Sequence, residues 1–160
     1  MAKRTHDETH MRRWFLLFWA VIAIYLLWNK WHAIYWFVLS DTDDNLRFAQ
    51  VRALLAGQGW YDLRQYRIDP PGGISVHWSR LVDLPIAGLM LLLQPLIGAP
   101  QAARWACAIA PVLAFGAGLY GMMLAAQRLV DRWAFTLAAA ILLCAATTMS
   151  MWMPLRIDHH

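Results

Sequence analysis

From its N-terminus the chain alternates long apolar runs with one polar stretch. The first apolar run covers Trp14–Trp28, passes through Asn29-Lys30-Trp31-His32, and resumes over Ala33–Leu39. As one helix, residues 14–39 reach ~39 Å, enough to cross a hydrocarbon core of ~30 Å. Lys30 sits where its stem can snorkel to an interface. A cleaved signal peptide is the rival reading. The run is long, rich in Trp and lacks a clear A-x-A site, which favours an uncleaved anchor.

A polar stretch follows, and residues 40–104 form one long loop. Apolar Leu46, Ala49, Ala53 and Leu54 recur at helical spacing and predict a helix over 44–56, stopped by Gly57. The cluster Asp41-Thr42-Asp43-Asp44 stands at its N-terminus, where carboxylates are favoured. Asp69-Pro70-Pro71-Gly72-Gly73 predicts a rigid turn. A second helix is expected over 82–98. It is apolar, contains Pro85 and Pro95, and is short for a span, so it reads as interfacial or re-entrant. Two further apolar runs predict spanning helices over 105–127 and 133–154, joined by a loop at 128–132. Trp105, Trp133 and Trp152 lie near their ends, as interface belts do.

These elements define an all-α polytopic integral membrane protein with three transmembrane helices. Interfacial or re-entrant helices occupy its long first external loop. If the 84–98 stretch crosses instead, the spans number four. Arg128 and Arg132 set against Arg104 and Arg156 leave the positive-inside count balanced. Residues 1–13 are a basic tail and read as cytoplasmic. Residues 155–160 follow the last span directly, and so abrupt an ending reads as a truncation.

Composition agrees. Charged residues are 15% and apolar residues 60%, whereas soluble domains carry about 25% charged residues. That balance argues against an ordinary soluble domain and excludes a disordered chain. The net charge of +4 is no sign of nucleic acid, because Lys and Arg are interspersed with Asp and form no stripe. Cys107 and Cys144 lie in apolar runs and read as small hydrophobes rather than a disulfide.

Four groups can carry chemistry. Asp41, Asp43 and Asp44 repel one another, and a hard divalent cation would relieve that; the plainer reading is an acidic turn capping a helix. Asp158, His159 and His160 make a partial metal site, against simple exposure of a terminal segment. Arg47, Arg52, Arg64, Arg67 and Arg80 suit phosphate oxygens, against ion pairing within the loop or binding to anionic headgroups. His77 and Trp78 can stack on a sugar or headgroup, against an unliganded interfacial aromatic. The chain has no Walker loop, CxxC pair or HExxH motif. Few polar residues fall in the apolar segments, which counts against a transport path.

The order of these pieces resembles the type-C glycosyltransferase superfamily. More narrowly, it resembles the N-terminal membrane region of the oligosaccharyltransferase catalytic subunit family. The matching pieces are Ser40-Asp41-Thr42-Asp43-Asp44 after the first span, Trp78–Gly98, the two later spans, and Arg156-Ile157-Asp158-His159-His160. The resemblance implies three spans in a bacterial inner membrane, with the N-terminus cytoplasmic. It implies Asp43 as the catalytic carboxylate and first-loop metal ligand, with Asp41 or Asp44 as alternatives. Asp158 and His160 become the second-motif ligands of Mg²⁺ or Mn²⁺. The resemblance implies a polyprenyl-phosphate-linked sugar donor whose phosphate is held by arginines. Arg47, Arg52, Arg80, His77 and Trp78 are the candidate substrate contacts from the residue reading, and the stretch 58–80 matches no motif of the family. On this reading the chain is the N-terminal fragment of such a transferase and is not expected to be active alone. The alternative is a small, non-enzymatic accessory or assembly protein of the membrane.

Overall fold

In the computed structural model, which describes residues 2–158, nearly all the regular structure is helix. The order is α1 (Ala2–Asn29), α2 (Trp31–Trp36), α3 (Thr42–Leu55), β1 (Arg64–Gln65), β2 (Ile74–Ser75), α4 (Asp83–Ile97), α5 (Ala99–Leu129), α6 (Ala134–Cys144) and α7 (Ala146–Met151). The chain divides into two units. One is built from the chain up to His32 and Pro111–Pro154. The other is built from Ala33–Ala110 and the chain from Leu155 onward.

The first unit has an apolar core and, along α1, an apolar outer face. Met11, Phe115, Leu119, Met123, Phe135 and Ala139 form its buried core, with Phe15, Trp19 and Trp152 packed against it. Yet Leu16, Leu17, Val21, Ile24, Tyr25 and Trp28, on another face of α1, are each more than half exposed. Water penalises so continuous an apolar stripe, whereas lipid accepts it. Two helical segments, Thr9–Asn29 and Ala99–Leu129, are long and apolar enough to cross a membrane. Only 17% of the apolar window of the first is buried, unlike the core helix of a soluble protein.

Trp19 fixes the pairing of α1 with α5. Its Nε1–H donates to the Val112 carbonyl at 3.0 Å, and the indole lies against Gly116. A Cβ at Gly116 would stand 2.5 Å from Trp19 Nε1 and 2.9 Å from Cδ1. Gly116→Ala is therefore expected to destabilise the first unit by about 1–3 kcal/mol, the usual cost of overpacking. Thermal unfolding in detergent, followed by Trp fluorescence, checks this.

The expected spans differ in detail. Helix α1 starts at Ala2, so the charged leader continues the first helix rather than standing apart from it. The expected 14–39 helix is interrupted at Lys30 and ends at Trp36, just before Phe37, whose φ is +51°. The expected 133–154 helix is two pieces, parted at Ala145 with ψ +85°. Helix α6 has 11 residues, or ~16 Å, about half a hydrocarbon core. Neither interruption carries the Pro or Gly that marks a break in sequence.

In the second unit the expected caps are present. Asp41 is the N-cap of α3, its Oδ1 accepting from the N–H groups of Asp43 (3.0 Å) and Asp44 (2.9 Å). At the other end Gly57, with φ +97°, donates to Leu54 O, and Gln58 N–H donates to Ala53 O. Together these make a Schellman stop. The Pro-Pro-Gly-Gly turn joins β1 to β2, which pair Arg64 with Ser75 and Gln65 with Ile74. Gly73 (φ +68°) is required there, since a Cβ would lie 3.1 Å from both Gln65 O and Tyr66 Cα. Helix α4 has 15 residues, or ~22 Å, too short to cross unaided. Its Leu91, Leu92 and Leu96 are exposed.

Pro111 has no N–H to offer the carbonyl four residues earlier. That carbonyl, on Cys107, accepts instead from Leu155 N–H at 3.1 Å. Leu155 and Ile157 are both 1% exposed, and the returning chain is thereby brought to α3.

Candidate functional site

The first turns of α3 carry carboxylates in two directions. Asp41 faces the helix end, caps it, and pairs through Oδ2 with Arg156 NH1 at 3.1 Å. Asp44 turns inward and is fully buried. Its Oδ1 accepts two backbone N–H groups, from Ile157 and Asp158, both at 2.7 Å. Its Oδ2 is also buried and has no hydrogen-bond partner among the described residues. Burial pushes the Asp44 carboxyl above its ordinary range, against the lowering effect of the two N–H donors. Asp43, between them, is half-buried.

One turn further along α3 is Arg47, also buried. Its Nε and NH2 both donate to Asp158 Oδ1, at 3.0 and 2.9 Å, and its NH1 donates to Asp83 Oδ1 at 3.0 Å. The guanidinium carbon lies 4.7 Å from the Trp78 ring centroid, a cation–π contact. Asp83 in turn takes Arg80 on its other oxygen at 3.4 Å. Arg80 also donates to Gln50 O (3.0 Å), Asp62 O (2.6 Å) and Gln58 Oε1 (3.3 Å). The result is a buried alternation of charge, Asp158–Arg47–Asp83–Arg80. It ties α3, the segment before α4, and the returning chain into one cluster.

Of the residues singled out in sequence, Asp44, Arg47, Trp78, Arg80 and Asp158 converge here. Arg47 and Arg80, expected to hold phosphate, are enclosed and engaged by internal acceptors. Asp41 serves as a cap. Arg52 is exposed on another face of α3, with its guanidinium 5.9 Å from the Phe48 ring centroid. His77 is exposed and takes no part in the cluster. His160 lies outside the described residues. Asp83 was not legible as a site residue, although an acid at the head of an apolar helix, three residues after an Arg, is a detectable i,i+3 pair.

The expected Mg²⁺ or Mn²⁺ needs several oxygen ligands at one point. Among the described residues no three His, Cys, Asp or Glu side chains form such a group. The Asp41 carboxylate is committed to a helix cap and Arg156, and Asp158 Oδ1 to the Arg47 fork. These residues alone do not fit the cation.

No family model matches the chain, and no curated protein or solved structure shows significant similarity to it.

Proposed function

We propose that this chain is an integral membrane module of a glycosyltransferase that draws its sugar from a polyprenyl-phosphate-linked donor. One observation carries the reading. The acidic segment after the first apolar helix and the segment after the last one meet at Asp44, through hydrogen bonds to Ile157 and Asp158. Those are the two segments that the resemblance to type-C transferases makes into one site.

In this reading α1 and α5 cross a bacterial inner membrane, and the α6–α7 stretch makes a third crossing. Helix α4 lies in the outer interface, and the N-terminus is cytoplasmic. The chemistry is a displacement. A nucleophilic oxygen or nitrogen of the acceptor bonds to the anomeric carbon. The bond from that carbon to the donor phosphate breaks, and the phosphate leaves with the electron pair. The proton lost by the acceptor passes to a carboxylate, which we assign to Asp43. Asp44 and Arg47 hold the surrounding backbone in place.

Asp43→Ala is expected to abolish sugar transfer from a radiolabelled polyprenyl-phosphate donor while the protein still inserts into membranes. Undiminished turnover in that variant would overturn the assignment. The closure of Arg47 and Arg80 onto internal partners favours one other reading, an accessory or assembly protein whose charged cluster only braces a loop. That reading predicts a silent Asp43→Ala.

A further inference from the structure

A different face of α3 looks onto a groove. Asn45, Phe48, Ala49 and Arg52 line it from α3, and residues 64–67 line it from the β-hairpin. Its volume is about 570 Å³. Three of the residues around it are arginines, Arg52, Arg64 and Arg67, and none is acidic. Arg64 is partly committed, its NH1 donating to Gly72 O at 2.9 Å. Arg52 and Arg67 form no ion pair among the described residues. The nearby Asp62 accepts the hydroxyl of Tyr66 at 3.1 Å and does not line the groove.

A second feature is independent of charge. Gln65 lines the same groove and is 5% exposed. Its side-chain Nε2 is buried and has no hydrogen-bond partner among the described residues. A buried donor without an acceptor is unfavourable, and so is a concave wall of like charges. An anion with several acceptor oxygens answers both at once.

We propose that this groove is a binding site for a phosphoryl group, with Arg52 and Arg67 pairing its oxygens and Gln65 Nε2 donating to it. Phosphate is favoured over a carboxylate because it brings close to two negative charges and at least three strong acceptors. The groove exceeds one phosphate in size, so the ligand carries a further moiety against the Phe48 and Tyr66 rings. A phospholipid headgroup and a soluble phosphate compound share this chemistry. The inference stands whether or not the chain transfers sugar, because none of these three residues belongs to the Asp44–Arg47 cluster.

The test uses the 160-residue chain in phosphatidylcholine nanodiscs. In one arm inorganic pyrophosphate is titrated and followed by calorimetry. In the other the discs contain phosphatidic acid, and retained lipid is measured by native mass spectrometry. Saturable, salt-sensitive binding is expected in at least one arm. Arg52→Ala and Arg67→Ala are each expected to weaken it roughly tenfold or more, the scale of a charge-assisted hydrogen bond. Gln65→Leu is expected to weaken binding while leaving thermal stability unchanged or higher. Arg132→Ala, an exposed arginine elsewhere, is expected to change nothing. Binding confined to the pyrophosphate arm assigns a soluble ligand, and binding confined to the lipid arm assigns a headgroup. Absence of binding in both arms, or affinity that is the same in the Arg52→Ala and Arg67→Ala variants, overturns the site.

Discussion

Replacing Arg47 by Met is expected to destabilise the second unit by about 3–5 kcal/mol, the usual cost of removing one partner from a buried ionic pair. Met fills much of the same volume, so lost packing is a small part of the effect. The larger part is electrostatic. Asp158 loses the fork that bonds its Oδ1 twice, and Asp83 loses its 3.0 Å partner. Both carboxylates are almost fully buried and cannot turn to water. Trp78 also loses the cation held 4.7 Å from its ring centroid. Limited proteolysis of the 40–83 segment and thermal unfolding in detergent both report the loss.

The same variant makes a prediction about pH. Without Arg47, Asp83 keeps only the 3.4 Å contact with Arg80 against the burial that already raises its carboxyl. The deficit of Arg47→Met against the wild type is therefore expected to be largest at neutral pH and to shrink under mild acid. The combination Arg47→Met with Asp158→Leu removes one buried charge of each sign and leaves the Asp83–Arg80 pair, so it is expected to recover most of the lost stability, because buried ion pairs are often replaceable by apolar groups. A double variant as unstable as Arg47→Met alone would mean that the cluster matters for its shape and not for its charge balance.

What the sequence made legible here is the local part. Asp41 and Gly57 are readable as cap and stop because each acts on backbone groups within four residues. The helices over 44–56 and 82–98 follow from apolar spacing, and the structure shifts their ends by one or two residues. The charged cluster was readable only in part. Three neighbouring aspartates look alike along the chain. What makes Asp44 the inward one is a pair of N–H groups more than a hundred residues later, delivered by a turn that leaves Leu155 with φ +71°. Arg47 and Arg80 are readable as groups for phosphate or for ion pairing within the loop, but not as enclosed, since the acids and carbonyls that satisfy Arg47 and Arg80 come from several segments. The breaks at Lys30 and Ala145 carry no signal in the sequence, because neither Pro nor Gly flanks them. Arg64, Arg67 and Gln65 become a groove only once the hairpin brings them opposite α3.

Asp44 gives the second large effect, through a contrast between two substitutions. Asp44→Ala deletes the acceptor for two buried backbone N–H groups, those of Ile157 and Asp158. At 1–3 kcal/mol for each unsatisfied donor, the loss is about 2–6 kcal/mol. Asp44→Asn keeps an oxygen in the accepting position and removes the charge, so its loss is expected to be about 1 kcal/mol or less. The pH dependence separates them further. Burial raises the Asp44 carboxyl above its ordinary value of 3.8 in the folded chain. The folded state then holds this proton more tightly than the unfolded state does. The linked stabilisation is complete below the unfolded value and is lost as pH rises through the higher folded value. Wild-type stability is therefore expected to decline with rising pH across that window, and Asp44→Asn is expected to lack this component. If Asp44→Asn proves as damaging as Asp44→Ala, the anionic charge itself must anchor the returning chain, and a proton on Asp44 would then release the segment that carries Asp158.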